Sequence, residues 1–208
     1  MKICHIVGAG ESGGARIEPR EGDWVIAADA GYAELARQGI KADLVVGDFD
    51  SLGEAPAGEN VVLHPAMKDD TDTLLAVKIG LERGFLDFRL YGALGGRLDH
   101  TLANIQTLRY IAARGARGAI VGDVCLAAVK DGELRFRADA AGVISVFCLG
   151  EPARGVDLEG LLYPLTDATV TPDFPIGVSN EFTGMPARVR VREGCLIVVF
   201  DEIGYLDT

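Results

Sequence analysis

Through the first 123 residues apolar and polar positions fall in repeating blocks. A short, nearly continuous apolar run is followed by a break rich in glycine or aspartate, then by a segment with apolar residues three or four apart. The runs predict strands at Lys2–Val7, Trp24–Ala28, Asp43–Val46, Asn60–Leu63, Phe88–Tyr91 and Ala119–Val121. Runs without polar alternation suit parallel strands covered on both faces. The periodic segments predict helices from about Tyr32 to Gln38, after Thr71 (Leu74, Val77 and Leu81 on one stripe), and after Asp99 (Leu102, Ile105, Leu108 and Ile111 spaced by three). Gly39, Gly84 and Gly115 stand where these helices would end. Strands alternating with helices make this half a doubly wound α/β domain with a mostly parallel sheet.

After Asp123 the period changes. Val124–Lys130, Glu133–Arg137, Val143–Leu149, Ala168–Thr171, Ala187–Arg192 and Cys195–Phe200 are short, β-branched and separated by turns such as Lys130-Asp131-Gly132. Without a long helical stripe, they predict an all-β sandwich. The expected division is residues 1–123 as a nucleotide-binding α/β domain and 124–208 as a β-domain, with no flexible linker between them.

Composition narrows the class. The 208 residues are 49% hydrophobic and 25% charged, proportions that exclude a disordered or fibrous chain. Twenty lysines and arginines against 31 acids give a net charge of −11. With no basic run, nucleic acid is excluded as a partner. Small phosphorylated substrates remain admissible if a divalent cation mediates. The longest apolar run, Cys195 to Phe200, is far below the roughly 20 residues that span a bilayer, so no membrane association is expected. The start Met1-Lys2-Ile3-Cys4 has none of the regions of a signal peptide. Cysteines 4, 125, 148 and 195 stand singly in apolar segments, as small buried hydrophobes of a reducing cytoplasm.

In an open α/β sheet the ligand crevice lies beyond the carboxyl ends of the strands. In this sequence every polar cluster of the first half follows a predicted strand: Gly8-Ala9-Gly10-Glu11-Ser12-Gly13-Gly14, Asp29-Ala30-Gly31, Gly47-Asp48-Phe49-Asp50-Ser51, Lys68-Asp69-Asp70-Thr71-Asp72 and Gly95-Gly96-Arg97-Leu98-Asp99-His100. Gly8, Gly10 and Gly13 fit the dinucleotide fingerprint, with Asp29 where a ribose-binding acid would stand. The crossover helix that the fingerprint needs has no room between Ala15 and Asp23, which contain Pro19 and Gly22. The loop is thus read either as one that approaches phosphate or as a tight turn. Asp48 and Asp50, alternate residues at a strand end, can share a cation. Asp70 or Thr71 can cap the next helix. So many carboxylates on one edge repel, and magnesium resolves the conflict, since it takes carboxylate, water and phosphate oxygens. Arg97 beside Gly95-Gly96 can hold phosphate oxygens in a bidentate fork. His100 is either a proton carrier or a packing residue. No Walker loop or kinase signature set is present. The residues alone point to a magnesium-dependent enzyme acting on a nucleoside triphosphate or similar phosphate.

The ordered motifs Ala28-Asp29-Ala30-Gly31, Gly47-Asp48-Phe49-Asp50-Ser51, Lys68-Asp69-Asp70-Thr71-Asp72, Gly95-Gly96-Arg97-Leu98-Asp99-His100, Gly160-Leu161-Leu162-Tyr163-Pro164-Leu165 and Ser179-Asn180-Glu181-Phe182 resemble those of the thiamine pyrophosphokinases, from about residue 25 to residue 200. The resemblance implies transfer of a pyrophosphoryl group from ATP to the hydroxyl of thiamine, giving thiamine diphosphate and AMP. It implies magnesium on Asp48, Asp50 and Asp72, and Asp29, Gly31, Ser51, Lys68, Thr71, Arg97 and His100 around the nucleotide. Asp99 would lie close to the reacting groups. Ser179 and Asn180 would line the vitamin pocket of a homodimer with shared active sites. Ala30 stands where the motif usually carries glycine. Within the last strand, the stretch Cys195-Leu196-Ile197-Val198-Val199 lacks the aromatic ring that some members stack on thiamine. The other readings are a pyrophosphokinase of the same fold acting on another alcohol, such as a pterin, and a non-catalytic nucleotide- or thiamine-binding module.

Overall fold

The structure, a computed structural model, describes residues 1–10, 13–47, 61–63 (backbone only) and 70–207. It divides into two compact units, Met1–Asp123 and Val124–Thr208.

In the first unit β1 (Cys4–Val7), β2 (Trp24–Ala28), β3 (Leu44–Gly47), β4 (Val61–Leu63), β5 (Asp87–Tyr91) and β6 (Arg117–Val121) lie in the order β6-β5-β1-β2-β3-β4. Each adjacent pair is parallel, as the unalternated apolar runs require. The strand order reverses between β1 and β5, so the crevice of this sheet opens beyond Val7 and Tyr91. The helices are α1 (Gly31–Arg37), α2 (Asp72–Glu82) and α3 (Leu98–Ala112). Residues 13–23 join β1 to β2 without a helix.

Helix α3 departs from the expected stripe. Its buried residues are Asn104, Thr107, Leu108 and Ile111, while Leu102 is 55% exposed. At about 100° per residue, nine residues bring Leu102 round to the side opposite Ile111. A spacing of three repeated three times therefore drifts off the core face. Helix α2 lies close enough to the sheet that a Cβ at Gly80 would stand 2.7 Å from Phe88 Cε1. Beneath it the Cys4 thiol, whose pKa burial pushes up to about 12, is an unreactive core group.

A buried polar group ties the amino end of β1 to the segment before β2. His5 is 3% exposed, with Nδ1 3.2 Å from Tyr91 Oη and Nε2 3.3 Å from Asp23 Oδ2. A carboxylate only accepts, so neutral His5 donates from Nε2 to Asp23 and takes the Tyr91 proton at Nδ1. Burial holds the His5 pKa below its ordinary 6.5, although Asp23 pulls it upward. Burial also acts to raise Asp23, but the N–H groups of Ile3 and Arg20, with His5, keep it low.

In the second unit β7 (Cys125–Lys130), β9 (Val143–Cys148), β12 (Gly177–Glu181) and β14 (Cys195–Phe200) form one antiparallel sheet, ordered β12-β9-β14-β7. A second sheet, ordered β11-β10-β13-β8, contains β8 (Glu133–Phe136), β10 (Ala153–Glu159), β11 (Leu165–Val170) and β13 (Ala187–Glu193). Strands β10 and β12 were not expected. A glycine at positive φ (Gly155, +63°) and register shifts hide the alternation of β10, and β12 carries one buried polar residue and few apolar ones. Phe136 of β8 meets Phe200 of β14 edge-on at 5.2 Å and Phe182 at the same distance. Among the described residues no helix is long and apolar enough to cross a membrane.

Two outcomes follow for stability. In urea unfolding, Leu108→Ala costs about 2–5 kcal/mol, whereas Leu102→Lys stays within about 0.5 kcal/mol of the parent. A depressed histidine pKa means that the unfolded chain binds the proton first. The His5 contribution is therefore complete above pH 6.5 and is lost as pH falls below it. The urea midpoint should drop between pH 7.5 and 5, and His5→Gln should flatten that drop.

Candidate active site

The loops that follow β1 and β5 meet backbone against backbone. Gly8 N–H donates to Tyr91 O (2.8 Å) and Gly10 N–H to Gly92 O (2.9 Å). A Cβ at Gly10 would stand 2.6 Å from Gly92 O, and one at Gly92, where φ is +57°, would stand 2.7 Å from Gly8 O. Mutual approach at the strand-order reversal thus accounts for Gly8 and Gly10, and no dinucleotide is needed to explain them. Gly31 is still tighter, since a Cβ there would fall 1.8 Å from Val7 O. The first turn of α1 rests directly on the end of β1.

This docking sets Asp29 between β2 and α1 in a left-handed conformation (φ +51°), which aspartate tolerates better than most residues. Its N–H donates to Val46 O at 2.8 Å. Its Oδ1 is buried and, among the described residues, has no hydrogen-bond partner. An unpaired buried acceptor costs about 1–3 kcal/mol. Two local costs at one residue on the carboxyl edge are what a residue completed by a cation or donor would show.

At the start of α2 Thr71 is the cap, its Oγ1 accepting from Leu74 N–H at 3.2 Å. Asp72 is half-buried in the first turn, where the helix dipole favours an acid. Asp70 pairs with Lys78 at 2.5 Å, and that bond raises the lysine pKa. Asp48, Asp50, Ser51 and Lys68 lie outside the described residues. Among the described residues no three acids, histidines or cysteines are close enough together to hold a metal. Oxygen donors from Asp29 and Asp72 nevertheless suit a hard cation.

After β5 the chain passes Gly95 and Gly96, both at positive φ, and enters α3. Buried Asn104 fastens this loop by donating from Nδ2 to Ala93 O at 2.8 Å. Sequence reasoning missed it, although a polar residue between apolar ones on α3 was the available signal. Arg97 grips Asp99 in a fork, Nε to Oδ1 at 3.1 Å and Nη2 to Oδ2 at 2.6 Å. Both side chains are exposed, and the arginine bond holds the Asp99 carboxyl below the usual range. His100 is exposed, its backbone N–H donating to Asp99 Oδ1 at 3.0 Å.

Ser179 and Asn180 lie in the second unit, on β12. Ser179 adopts φ +57° and is exposed, its N–H donating to Ser145 Oγ at 3.0 Å. Asn180 is buried, and its amide is engaged by the backbone of Tyr163 and Glu181. In the first unit a cavity of about 450 Å³, lined by Gly14, Arg16, Ile17, Glu18, Arg37 and Gln38, contains no candidate residue. The first unit therefore brings Asp29, Gly31, Thr71, Asp72, Arg97, Asp99 and His100 to positions that follow strands β2, β4 and β5. A carboxyl edge with a bidentate arginine and unpaired acid oxygen suits metal-assisted transfer of a phosphate-type group.

Residues 19–119 match the family model for the thiamin pyrophosphokinase catalytic domain, and residues 133–196 match that for the thiamin pyrophosphokinase vitamin B1 binding domain. The thiamine pyrophosphokinase of Bacillus subtilis is 28% identical over 182 residues, covering 84% of this chain and 85% of the relative. The crystal structure of a thiamine pyrophosphokinase from Bacillus subtilis superposes with a TM-score of 0.85 at 27% identity, over 97% of this chain and 100% of that one. One from Geobacillus thermodenitrificans gives 0.80 at 28% identity, over 96% and 97%.

If Asp29 is held for a ligand, removing its charge relieves the unliganded protein. Asn tolerates the left-handed region equally well. Asp29→Asn should therefore leave the melting temperature unchanged or raise it without ligand, as is usual for residues kept for function. A marked fall would make Asp29 structural.

Proposed function

The chain belongs to the thiamine pyrophosphokinase family, and we propose that it transfers a pyrophosphoryl group from ATP to the hydroxyl of thiamine, with residues of both units contributing. The observation that carries this reading is the ordered match of both family models, one in each unit. The thiamine hydroxyl oxygen attacks the β-phosphorus, the bond from that phosphorus to the α,β-bridging oxygen breaks, and AMP leaves with the bridging oxygen. In this reading Arg97 exchanges the Asp99 carboxylate for phosphate oxygens, which fit the same fork. Asp99, freed of the cation that keeps it acidic, accepts the hydroxyl proton. Asp48, Asp50 and Asp72 would hold magnesium, which supplies charge neutralisation on the phosphates. Asp29, Gly31, Ser51, Lys68, Thr71 and His100 would serve the nucleotide, and Ser179 with Asn180 the vitamin pocket. The hydroxyl of Thr71 also keeps its cap to α2.

The finer architecture belongs to the same reading. The Phe136–Phe200 contact supports a face-to-face sandwich of the two sheets of the second unit. Exposed Val143, Phe147, Phe174, Ile176 and Val178 support a homodimer through that unit, with shared active sites. A cytoplasmic enzyme fits the single cysteines, which are unbridged.

Nucleotide chromatography after incubation with ATP, magnesium and thiamine tests the proposal, and AMP is the expected product. AMP formed only with another alcohol, ADP in place of AMP, or binding without turnover would each overturn it. Asp50→Asn and Asp72→Asn should each lower kcat by about 10²–10³-fold while the protein stays folded, since charge beside the reacting phosphates is what they remove.

A further inference from the structure

The segment Gly160–Pro164 is fixed at its backbone and buries Leu161, yet it leaves Leu162 and Tyr163 in water. Leu161 bridges Phe182, Leu162 N–H donates to Glu181 O (3.0 Å), and Thr183 Oγ1 donates to Gly160 O (2.8 Å). Asn180, 3% exposed, then clasps one residue from both sides. Its Oδ1 accepts from Tyr163 N–H (2.9 Å), and its Nδ2 donates to Tyr163 O (2.7 Å). The same Oδ1 accepts from Glu181 N–H at 2.9 Å. A buried amide thus does for Tyr163 what a neighbouring strand would do. Tyr163 itself is 63% exposed and Leu162 49%.

Burial of Leu161 anchors the strap, but it does not explain why both backbone groups of Tyr163 are clasped while its ring stays in water. Other aromatic groups are differently placed. Phe182, the ring nearest the Ser179-Asn180 motif in sequence, contacts Phe136 and Tyr205. Trp24 lies against Phe85 and Arg83 in the first unit. Phe174 is as exposed as Tyr163, but its N–H is held only by a 3.4 Å contact to Thr171 O. A tyrosine face attracts a cation, thiamine carries a fixed positive charge on its thiazolium ring, and Glu181 brings an exposed carboxylate next to the clasp.

We infer that Tyr163 is the aromatic face on which thiamine stacks, and that Asn180 is a positioning residue acting through the backbone of Tyr163. This rests on the function proposed above and names a specificity element for it. Asn180 thus serves vitamin recognition indirectly, because three of its four hydrogen-bonding positions are taken by backbone.

Steady-state kinetics of the full-length enzyme test this. By the usual strength of base–aromatic stacking, Tyr163→Ala should raise the KM for thiamine about 5- to 150-fold. kcat and the KM for ATP should stay within about twofold. Tyr163→Phe should restore the thiamine KM, and Tyr163→Leu, which keeps bulk but not the π-face, should restore it only in part. Asn180→Ser should raise the thiamine KM in the parent and add nothing in Tyr163→Ala, the coupling expected of residues acting as one unit. An unchanged thiamine KM in Tyr163→Ala would overturn the inference. So would dissociation of a dimer by light scattering with no change in that KM, which would make the ring a subunit contact. A parent protein that forms no AMP from thiamine would instead overturn the function itself.

Discussion

The candidate site is built around two loops that lie so close, backbone on backbone, that a Cβ at Gly10 or Gly92 would collide with a carbonyl oxygen. Gly8 and Gly10 after β1 meet Gly92 after β5, while Gly31 seats α1 on the carbonyl of Val7. These contacts lie where the strand order reverses, the one place in a doubly wound sheet where neighbouring loops diverge and leave a crevice. The glycines thus act at one remove from chemistry. They fix the strand ends, and the strand ends fix the acids.

The acids carry the electrostatic cost of that arrangement. Part of it is offset within the protein: Lys78 pairs with Asp70, Arg97 with Asp99, and the N-terminus of α2 faces Asp72. Asp29 is left with a buried oxygen that no described group satisfies and with a strained backbone. Such a residue is destabilising by itself and is explained when a ligand completes it. The Arg97–Asp99 fork is the complementary case, an exposed pair held by partners that phosphate can replace at little cost, because exposed pairs are weak.

Much of the first unit was legible because its signals are strong and local. Unalternated runs such as Trp24–Ala28 became parallel strands, and Thr71 proved to be the cap of α2. What escaped depends on tertiary contact. Gly8 and Gly10 read as either a phosphate loop or a tight turn, because a sequence cannot say that Gly92 will lie against them. Leu102 read as core because a spacing of three looks helical over one turn and fails over three. Strands β10 and β12 escaped because a glycine bulge and a buried asparagine interrupt the two-residue period. For the candidate site, motifs named the residues, and the structure sets the described ones after β2, β4 and β5. The work of Asn180 and Asn104 was not, since an asparagine that holds a loop looks the same in sequence as one that faces a ligand.

On the proposed reading, the carboxyl edge of the first unit binds nucleotide through a divalent cation that neutralises its acids. Calorimetric titration with a non-hydrolysable ATP analogue tests this most directly. With magnesium present, saturable binding is expected, abolished by chelator and weakened at least about tenfold in Asp72→Asn, a loss of about 1.4 kcal/mol. Binding of undiminished strength in the presence of chelator would contradict it.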